Sequence, residues 1–400
     1  MLTSTNTINN STATIYYAVD NAEVRREQLL INISTLKEKQ LCAFNTINKY
    51  LLGSAAEKKM LMFVSGEGGT GKSRLIELVA ENARLLFGKT KGLYGSVLIM
   101  APTGTAANGI SGFTWQSVLK KSKFGSKVKS NNKKSQIIGQ NLRGVKLIII
   151  DEISMISYES IYDISETIKA ALLTTCDEED EESRKFITNN PFGGVHILFT
   201  GDLYQLKPIG GTPIFSSRES DKITCTRGRA IWHSMTDYIE LTEACRYLDG
   251  NDSVLAKFLT AARKGIVHED ILVTINERYK MSVDETISLA NEKAIWMANT
   301  KKEVEKINNM CFDNLTKNGK LSYRIVAEHI PSKALIPFPN EQTKEELYKY
   351  EDDNSPSYID LAIGSRVSIN KNLATQIGCY NGALGTVRGS NTIKNVNYCK

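Results

Sequence analysis

The chain has 400 residues, of which 41% are hydrophobic and 24% charged, and its formal net charge is +6. That is ordinary globular composition over a length that suits two or three domains. Seven scattered cysteines with no C-x-x-C pair argue against a disulfide framework or a zinc site and fit a reducing compartment. No apolar run approaches the roughly 18 residues of a membrane span, so no membrane partner is expected.

Residues 1–34 read as a polar, loosely ordered lead-in. They lack the basic start and apolar core of a signal peptide, and no Arg precedes Arg25, which gives a transit peptide little support. Four short apolar runs follow: LMFVS (61–65), SVLIMAP (96–102), KLIIIDE (146–152) and HILFTGD (196–202). Each is bulky and nearly continuous, which predicts strands buried on both faces of a parallel sheet. Between the first two, Leu75, Ile76, Leu78, Val79 and Ala83 recur at helical spacing, predicting a helix over 72–87. The first half is thus predicted to be a parallel-sheet α/β domain. Further on, DYIELTEACRY (237–247), KAIWMANT (293–300) with a helical EVEKINNMCF after it, and SRVSIN (365–370) suit a second α/β unit. Residues 331–356 form a charged, Pro-bearing connection or insertion.

Charge is unevenly spread. From Asn82 to Ile150 there is no acid, and Lys120 to Lys146 carries nine basic residues. A nucleic-acid contact or a solvated Lys-rich loop would both explain this. Asp177 to Glu182 then reads DEEDEE, which predicts a solvated loop.

Every predicted strand ends in a polar or turn residue, and ligands of open α/β sheets bind at the carboxyl ends of the strands. After the first strand, Gly66-Glu67-Gly68-Gly69-Thr70-Gly71-Lys72-Ser73 fits G-x-x-x-x-G-K-[ST]. Gly66, Gly68, Gly69, Thr70 and Gly71 would wrap phosphates with backbone N–H groups, Lys72 would reach the β and γ phosphates, and Ser73 would take Mg²⁺. Asp151-Glu152 ends the third run. Asp151 suits Mg²⁺, and Glu152 suits polarising a water, although the pair could also cap the next helix. Gln205, just past the fourth run, could sense the γ-phosphate or simply occupy a polar turn. Arg246 is a candidate arginine finger or a surface salt-bridge residue. APTGTAA (101–107) and GFTWQS (112–117) are small, hydroxylated and aromatic. Their hydroxyls could hold nucleic-acid phosphates, and Phe113 or Trp115 could stack bases or belong to the core.

Together these segments resemble the Pif helicases, in the RecD-like branch of superfamily 1, over roughly residues 35–390. GEGGTGKS, APTGTAA, GFTWQS, DEISM and GDLYQLKPI are similar to successive family motifs. NPFGGVHILFTGD is the most family-specific stretch, because the family runs into its third motif through a similar PFGG segment. LTEACRY resembles the motif that supplies an arginine to the γ-phosphate, ANTKKEVEKIN the element that opens a second RecA-like domain, and Gln40 an adenine-reading glutamine. The segment SRVSINKNLATQIGCYNGALGTV is similar to the lead into a small SH3-like barrel.

The resemblance implies a P-loop NTPase with a RecA-like parallel-sheet domain over 35–235, including a basic insert near 120–146 that holds a wedge element. A second, incomplete RecA-like domain would span 236–400, with an SH3-like insertion beginning near 360–390 and ATP in the cleft between the two. It implies an ATP- and Mg²⁺-dependent enzyme moving 5′ to 3′ on single-stranded DNA and opening duplex junctions as a monomer, in repair, recombination or telomere maintenance. Its DNA contacts would be Pro102, Thr103, Gly104, Phe113, Thr114, Gln116 and Ser117. The compartment expected is intracellular, nucleus or mitochondrion if the source is eukaryotic. This sequence departs from the family pattern in having Gln116 for His, and Leu203 and Lys207 for Phe and Pro. The family's later T-x-H-K-S-Q-G-like and A-L-S-R-like motifs do not occur by Lys400, so a fragment or a truncated mobile-element copy is expected. The alternative function is a nucleotide- and DNA-binding module without unwinding activity.

Overall fold

The computed structural model describes residues 22–53, 59–88, 90–120, 132–218, 220–243, 245, 253–266, 268–279, 296–326, 358–369 and 382–389. The chain divides into two compact units, 1–266 and 267–400.

Six strands form one sheet in the first unit: β1 (Leu61–Gly66), β2 (Val97–Ala101), β3 (Phe113–Thr114), β4 (Leu147–Ile150), β5 (His196–Gly201) and β6 (Asp237–Leu241). Their order is β3-β2-β4-β5-β1-β6, and every pair is parallel. All four predicted apolar runs are strands of this sheet. Their continuous hydrophobicity is explained by two cores. Met62, Val64, Ile99, Ile149 and Leu198 face one, and Phe63, Leu98, Ile148, Ile150 and Phe199 face the other. The first core is closed by α1 (Ala22–Ser34), α2 (Glu38–Leu51) and α3 (Lys72–Phe87), the second by α6 (Asn132–Leu142) and α7 (Tyr158–Leu173). Two short helices, α4 (Gly104–Gly109) and α5 (Trp115–Val118), flank β3. The helix predicted over 72–87 has those bounds.

Three expectations are corrected. The lead-in is not irregular throughout, because Ala22–Ser34 is helical, with Leu29 buried and Arg25 Nε donating to Glu81 at 2.8 Å. The acidic run is not all loop. Asp180 accepts from the Ser183 N–H at 2.9 Å and caps α8 (Glu181–Asn189), so two acids lie in the first turn, where the helix dipole favours them. Finally, DYIEL does not open a second unit. It adds to β1 as an edge strand, Phe63 opposite Tyr238, and its alternating burial is that of an edge. Helices α9 (Ile223–His233) and α10 (Ser253–Arg263) lie within the first unit as well, so that unit ends near residue 266 rather than 235.

PFGG is a core anchor. Phe192 is fully buried and donates its N–H to Ser165 Oγ at 2.9 Å. A Cβ on Gly194, at φ +76, would lie 2.2 Å from Phe186 Cε1.

The second unit contains α11 (Glu269–Tyr279), α12 (Lys301–Lys317) and the strands β7 (Ser322–Val326), β8 (Tyr358–Ala362), β9 (Arg366–Ser368) and β10 (Leu384–Thr386). A capping box of Thr300 and Glu303 starts α12. Its described strands form two antiparallel pairs, β7 with β8 and β9 with β10. Of KAIWMANT, residues 293–295 lie outside the described residues and 296–300 are irregular.

Candidate functional site

The strand order fixes the site. β4, β5 and β1 are sheet neighbours, so the loops after them emerge side by side, with strands about 4.8 Å apart. Those loops carry Asp151-Glu152, Gly201-Asp202 and the phosphate loop.

The phosphate loop leaves β1 and runs into α3. Gly69 and Gly71 lie at φ +89 and +84, where only glycine is unstrained. A Cβ on Gly66 would meet Thr70 Oγ1 at 2.5 Å, and one on Gly71 would meet Gln40 Nε2 at 2.3 Å. Gly68 has nothing within 4 Å of such a Cβ. Lys72 Nζ donates to the carbonyls of Gly66 at 2.6 Å and Glu67 at 2.9 Å. Burial holds the Lys72 ammonium below its usual range, opposed by the attraction of Asp151, Glu152 and Asp202. The exposed Ser73 hydroxyl follows in the first turn of α3.

Gln40, expected to read adenine, braces the loop. It is buried, its Nε2 donates to the Thr70 carbonyl at 2.9 Å and to Cys245 Sγ at 3.4 Å, and its Oε1 accepts from Lys37 N–H at 3.0 Å. The Cys245 N–H donates to the Gly69 carbonyl at 2.7 Å, tying the chain after β6 to the same loop.

Ile150 pairs with Phe199, which sets Asp151 across from Thr200. The buried Thr200 Oγ1 donates to Asp151 Oδ1 at 2.6 Å. Glu152 lies in the left-handed region, φ +52 and ψ +47, and caps no backbone N–H with its side chain. Burial pushes its carboxyl above the usual range, the Asp151 charge adds to this, and Lys72 opposes it. Asp202 is buried, and its Oδ1 accepts from the Tyr204 N–H at 3.0 Å. Gln205 lies in the exposed turn that follows.

The glycine cradle and the Lys72 ammonium fit a polyphosphate. Ser73 and Asp151 supply the oxygen donors that Mg²⁺ takes alongside phosphate oxygens. Arg246 lies outside the described residues.

Of the expected DNA contacts, Pro102, Thr103 and Gly104 follow β2, and Phe113, Thr114, Gln116 and Ser117 surround the neighbouring β3. Thr103 Oγ1 accepts from the Ala106 N–H at 3.2 Å and caps α4. Ser117 Oγ donates to the Thr114 carbonyl at 2.7 Å. The two aromatics differ: Trp115 packs on the second core, whereas Phe113 is 49% exposed with Tyr94 at its edge, ring centroids 5.2 Å apart. Residues 121–131 of the basic insert lie outside the described residues. Lys133 and Lys134 lie on α6, and Lys120 is exposed.

Thr200 and Arg263 are missing from the residues the sequence singled out. Thr200 left a signal, a hydroxyl in an otherwise apolar run. Arg263, at the end of α10, left none, because its place at the site depends on packing distant in sequence.

A parallel sheet with a phosphate loop after β1 and an acidic pair after β4 defines a P-loop NTPase of RecA-like fold. The model of the family described as PIF1-like helicase matches residues 35–268. The chain belongs to that family. It is 27% identical over 256 residues to the ATP-dependent DNA helicase RRM3 of Saccharomyces cerevisiae, covering 62% of this chain and 32% of that protein. It is 26% identical over 339 residues to the ATP-dependent DNA helicase PIF1 of the same species, covering 83% of this chain and 34% of that protein. The chain thus spans about a third of the length of these relatives. In fold it is similar to the crystal structure of Pif1 helicase from Candida albicans, with a TM-score of 0.57, 22% identity, and coverage of 88% of this chain and 69% of that one. Among the described residues no helix is long and apolar enough to cross a membrane.

Proposed function

We propose that this chain is the ATP-driven motor portion of a DNA helicase that moves 5′ to 3′ along single-stranded DNA and opens duplex junctions. The observation that carries this is one sheet edge bearing the glycine cradle with Lys72, the Asp151-Glu152 pair and the turn of Gln205, in a chain of the PIF1-like family. In this reading Lys72 turns from the Gly66 and Glu67 carbonyls to orient the β and γ phosphates. Ser73 and Asp151 would hold Mg²⁺, which would supply charge neutralisation at the transferring phosphoryl group. The Glu152 carboxylate takes a proton from water as the water oxygen bonds to the γ-phosphorus and the bond to the ADP oxygen breaks. Gln205 orients that water, and Arg246 stabilises the charge that develops. Phe113 offers a ring on which a base stacks, while Thr103, Thr114 and Ser117 lie beside the phosphates.

Residues 267–400 would begin the second RecA-like domain with its SH3-like insertion. Opening one base-pair step costs about 1.4 kcal/mol, so each cycle has modest work to do. Action as a monomer in nuclear or mitochondrial DNA repair, recombination or telomere maintenance extends the same reading.

The test is ATP hydrolysis with and without oligo(dT), using Lys72→Ala and Glu152→Gln as controls. DNA-stimulated turnover that both substitutions abolish supports the proposal; turnover indifferent to DNA sinks it. A second reading is a nucleotide- and DNA-binding module without unwinding. A forked-duplex unwinding assay separates the two.

A further inference from the structure

Arg263 closes α10, and its guanidinium sits among the loops of the site. Its Nε lies 3.1 Å from Glu67 Oε1 in the phosphate loop. One terminal nitrogen, Nη1, donates to Asp202 Oδ2. The guanidinium carbon is 4.2 Å from the centre of the Tyr204 ring. The Arg263 side chain is 18% exposed and that of Asp202 only 4%, so this is a largely desolvated charge pair rather than a surface one. Tyr204 stacks on the cation from the turn that leads to Gln205.

The charge balance gives this cluster a purpose. Glu67, Asp151, Glu152 and Asp202 all lie at the sheet edge where a polyphosphate would bind, and the fields of the last three reach Lys72. A site with four carboxylates and Lys72 as its sole cation would repel a polyanion. The field of Arg263 also reaches Lys72, with opposite sign.

We infer that Arg263 is a positioning residue of the nucleotide site, which neutralises Glu67 and Asp202 so that the loop accepts a triphosphate, and which fixes the turn carrying Gln205. This rests on the nucleotide-binding part of the proposed function and is independent of DNA unwinding. Without Arg263, Asp202 would remain as a buried, unpaired carboxylate beside the phosphates. The penalty then scales with ligand charge and is greater for a triphosphate than for a diphosphate.

The experiment measures dissociation constants of Mg·ATP and Mg·ADP by calorimetry on the full chain, for wild type, Arg263→Ala, Arg263→Lys and Arg263→Ala with Asp202→Asn. Arg263→Ala is expected to weaken Mg·ATP about tenfold and Mg·ADP clearly less. Adding Asp202→Asn should recover most of the loss, because Asn keeps the acceptor for Tyr204 N–H and removes the charge. Should Arg263→Ala fold poorly, Arg263→Lys still decides, with Mg·ATP affinity expected within about threefold of wild type. Wild-type affinity in Arg263→Ala, equal losses for both nucleotides, or no recovery in the double variant would overturn the inference alone. A wild-type chain that binds neither nucleotide overturns the nucleotide reading with it. Binding that depends on Arg263 in a chain that never unwinds DNA leaves the inference standing and removes the helicase reading.

Discussion

The hydroxyl of Thr200, near the end of β5, donates to the carboxylate of Asp151 at the end of β4, at 2.6 Å and with both side chains buried. This bond aims one carboxyl oxygen and, in the proposed function, leaves the other for Mg²⁺. Thr200→Val keeps the shape and removes the donor. An unsatisfied buried carboxylate oxygen costs roughly 1–3 kcal/mol. Chemical denaturation should show a loss in that range, and the Mg²⁺ concentration for half-maximal ATPase should rise. An unchanged Mg²⁺ dependence would mean that Thr200 does not orient Asp151.

The phosphate loop offers a paired contrast. At Gly71 a methyl group meets Gln40 Nε2 at 2.3 Å and the backbone sits at φ +84; at Gly68 it meets nothing within 4 Å. Gly71→Ala must displace Gln40 from the Thr70 carbonyl and adopt a strained φ, which costs about 1–2 kcal/mol before any clash. It should lose nucleotide binding. Gly68→Ala should fold as wild type, and any loss of affinity there reports close approach of a phosphate to the backbone. Thermal shift with and without Mg·ATP reads both. If Gly71→Ala binds normally, the brace from Gln40 has no role in shaping the loop.

Much of this site is local in the chain and was therefore legible. Continuous apolar runs mark strands covered on both faces, and the glycine pattern before Lys72 marks the loop between the first of them and α3. Strand partners are not local. DYIEL has the same letters whether it starts a new sheet or closes the free edge of β1, and only the pairing of Phe63 with Tyr238 decides. Helix α1 was hidden by its polarity, since Leu29 is its one buried residue and the Arg25–Glu81 pair fastens its start. Gln40 is legible only through the family resemblance, whereas its bonds to Thr70 and Cys245 depend on where the chain after β6 runs.

His196 opens β5 and carries a pH-dependent share of stability. Its Nδ1 accepts from the Met60 N–H at 3.1 Å, which requires the neutral ring. Burial, with Lys59 and Lys146 nearby, lowers its pKa from 6.5 to about 4. Between those values the unfolded chain binds the proton and the folded chain does not, so stability is complete above pH 6.5 and falls as pH drops toward 4. Urea melts of wild type and His196→Gln across this window should converge as the pH is lowered, because only the wild type loses its contribution. Parallel curves would mean that His196 protonates equally in both states.

Glu152 combines chemistry with strain. A non-glycine residue at φ +52 costs on the order of 1 kcal/mol, and its carboxyl is also partly desolvated beside Asp151. Glu152→Gly relieves the backbone and removes a charge repelled by its neighbour. It should therefore be as stable as wild type or more stable, by up to about 1 kcal/mol, while its ATPase activity is lost. Glu152→Gln removes the charge alone and should sit between the two in stability. As the base of the proposed function Glu152 must be ionised, and burial raises its pKa. Turnover should thus fall on acidification at a pH above that of an ordinary glutamate, and the fall should come before the loss of folded protein. Stopped-assay rates and circular dichroism on the same samples separate the two effects. A Glu152→Gly protein that is clearly less stable than wild type would show that this backbone conformation carries no strain and that Glu152 is held there by its own contacts.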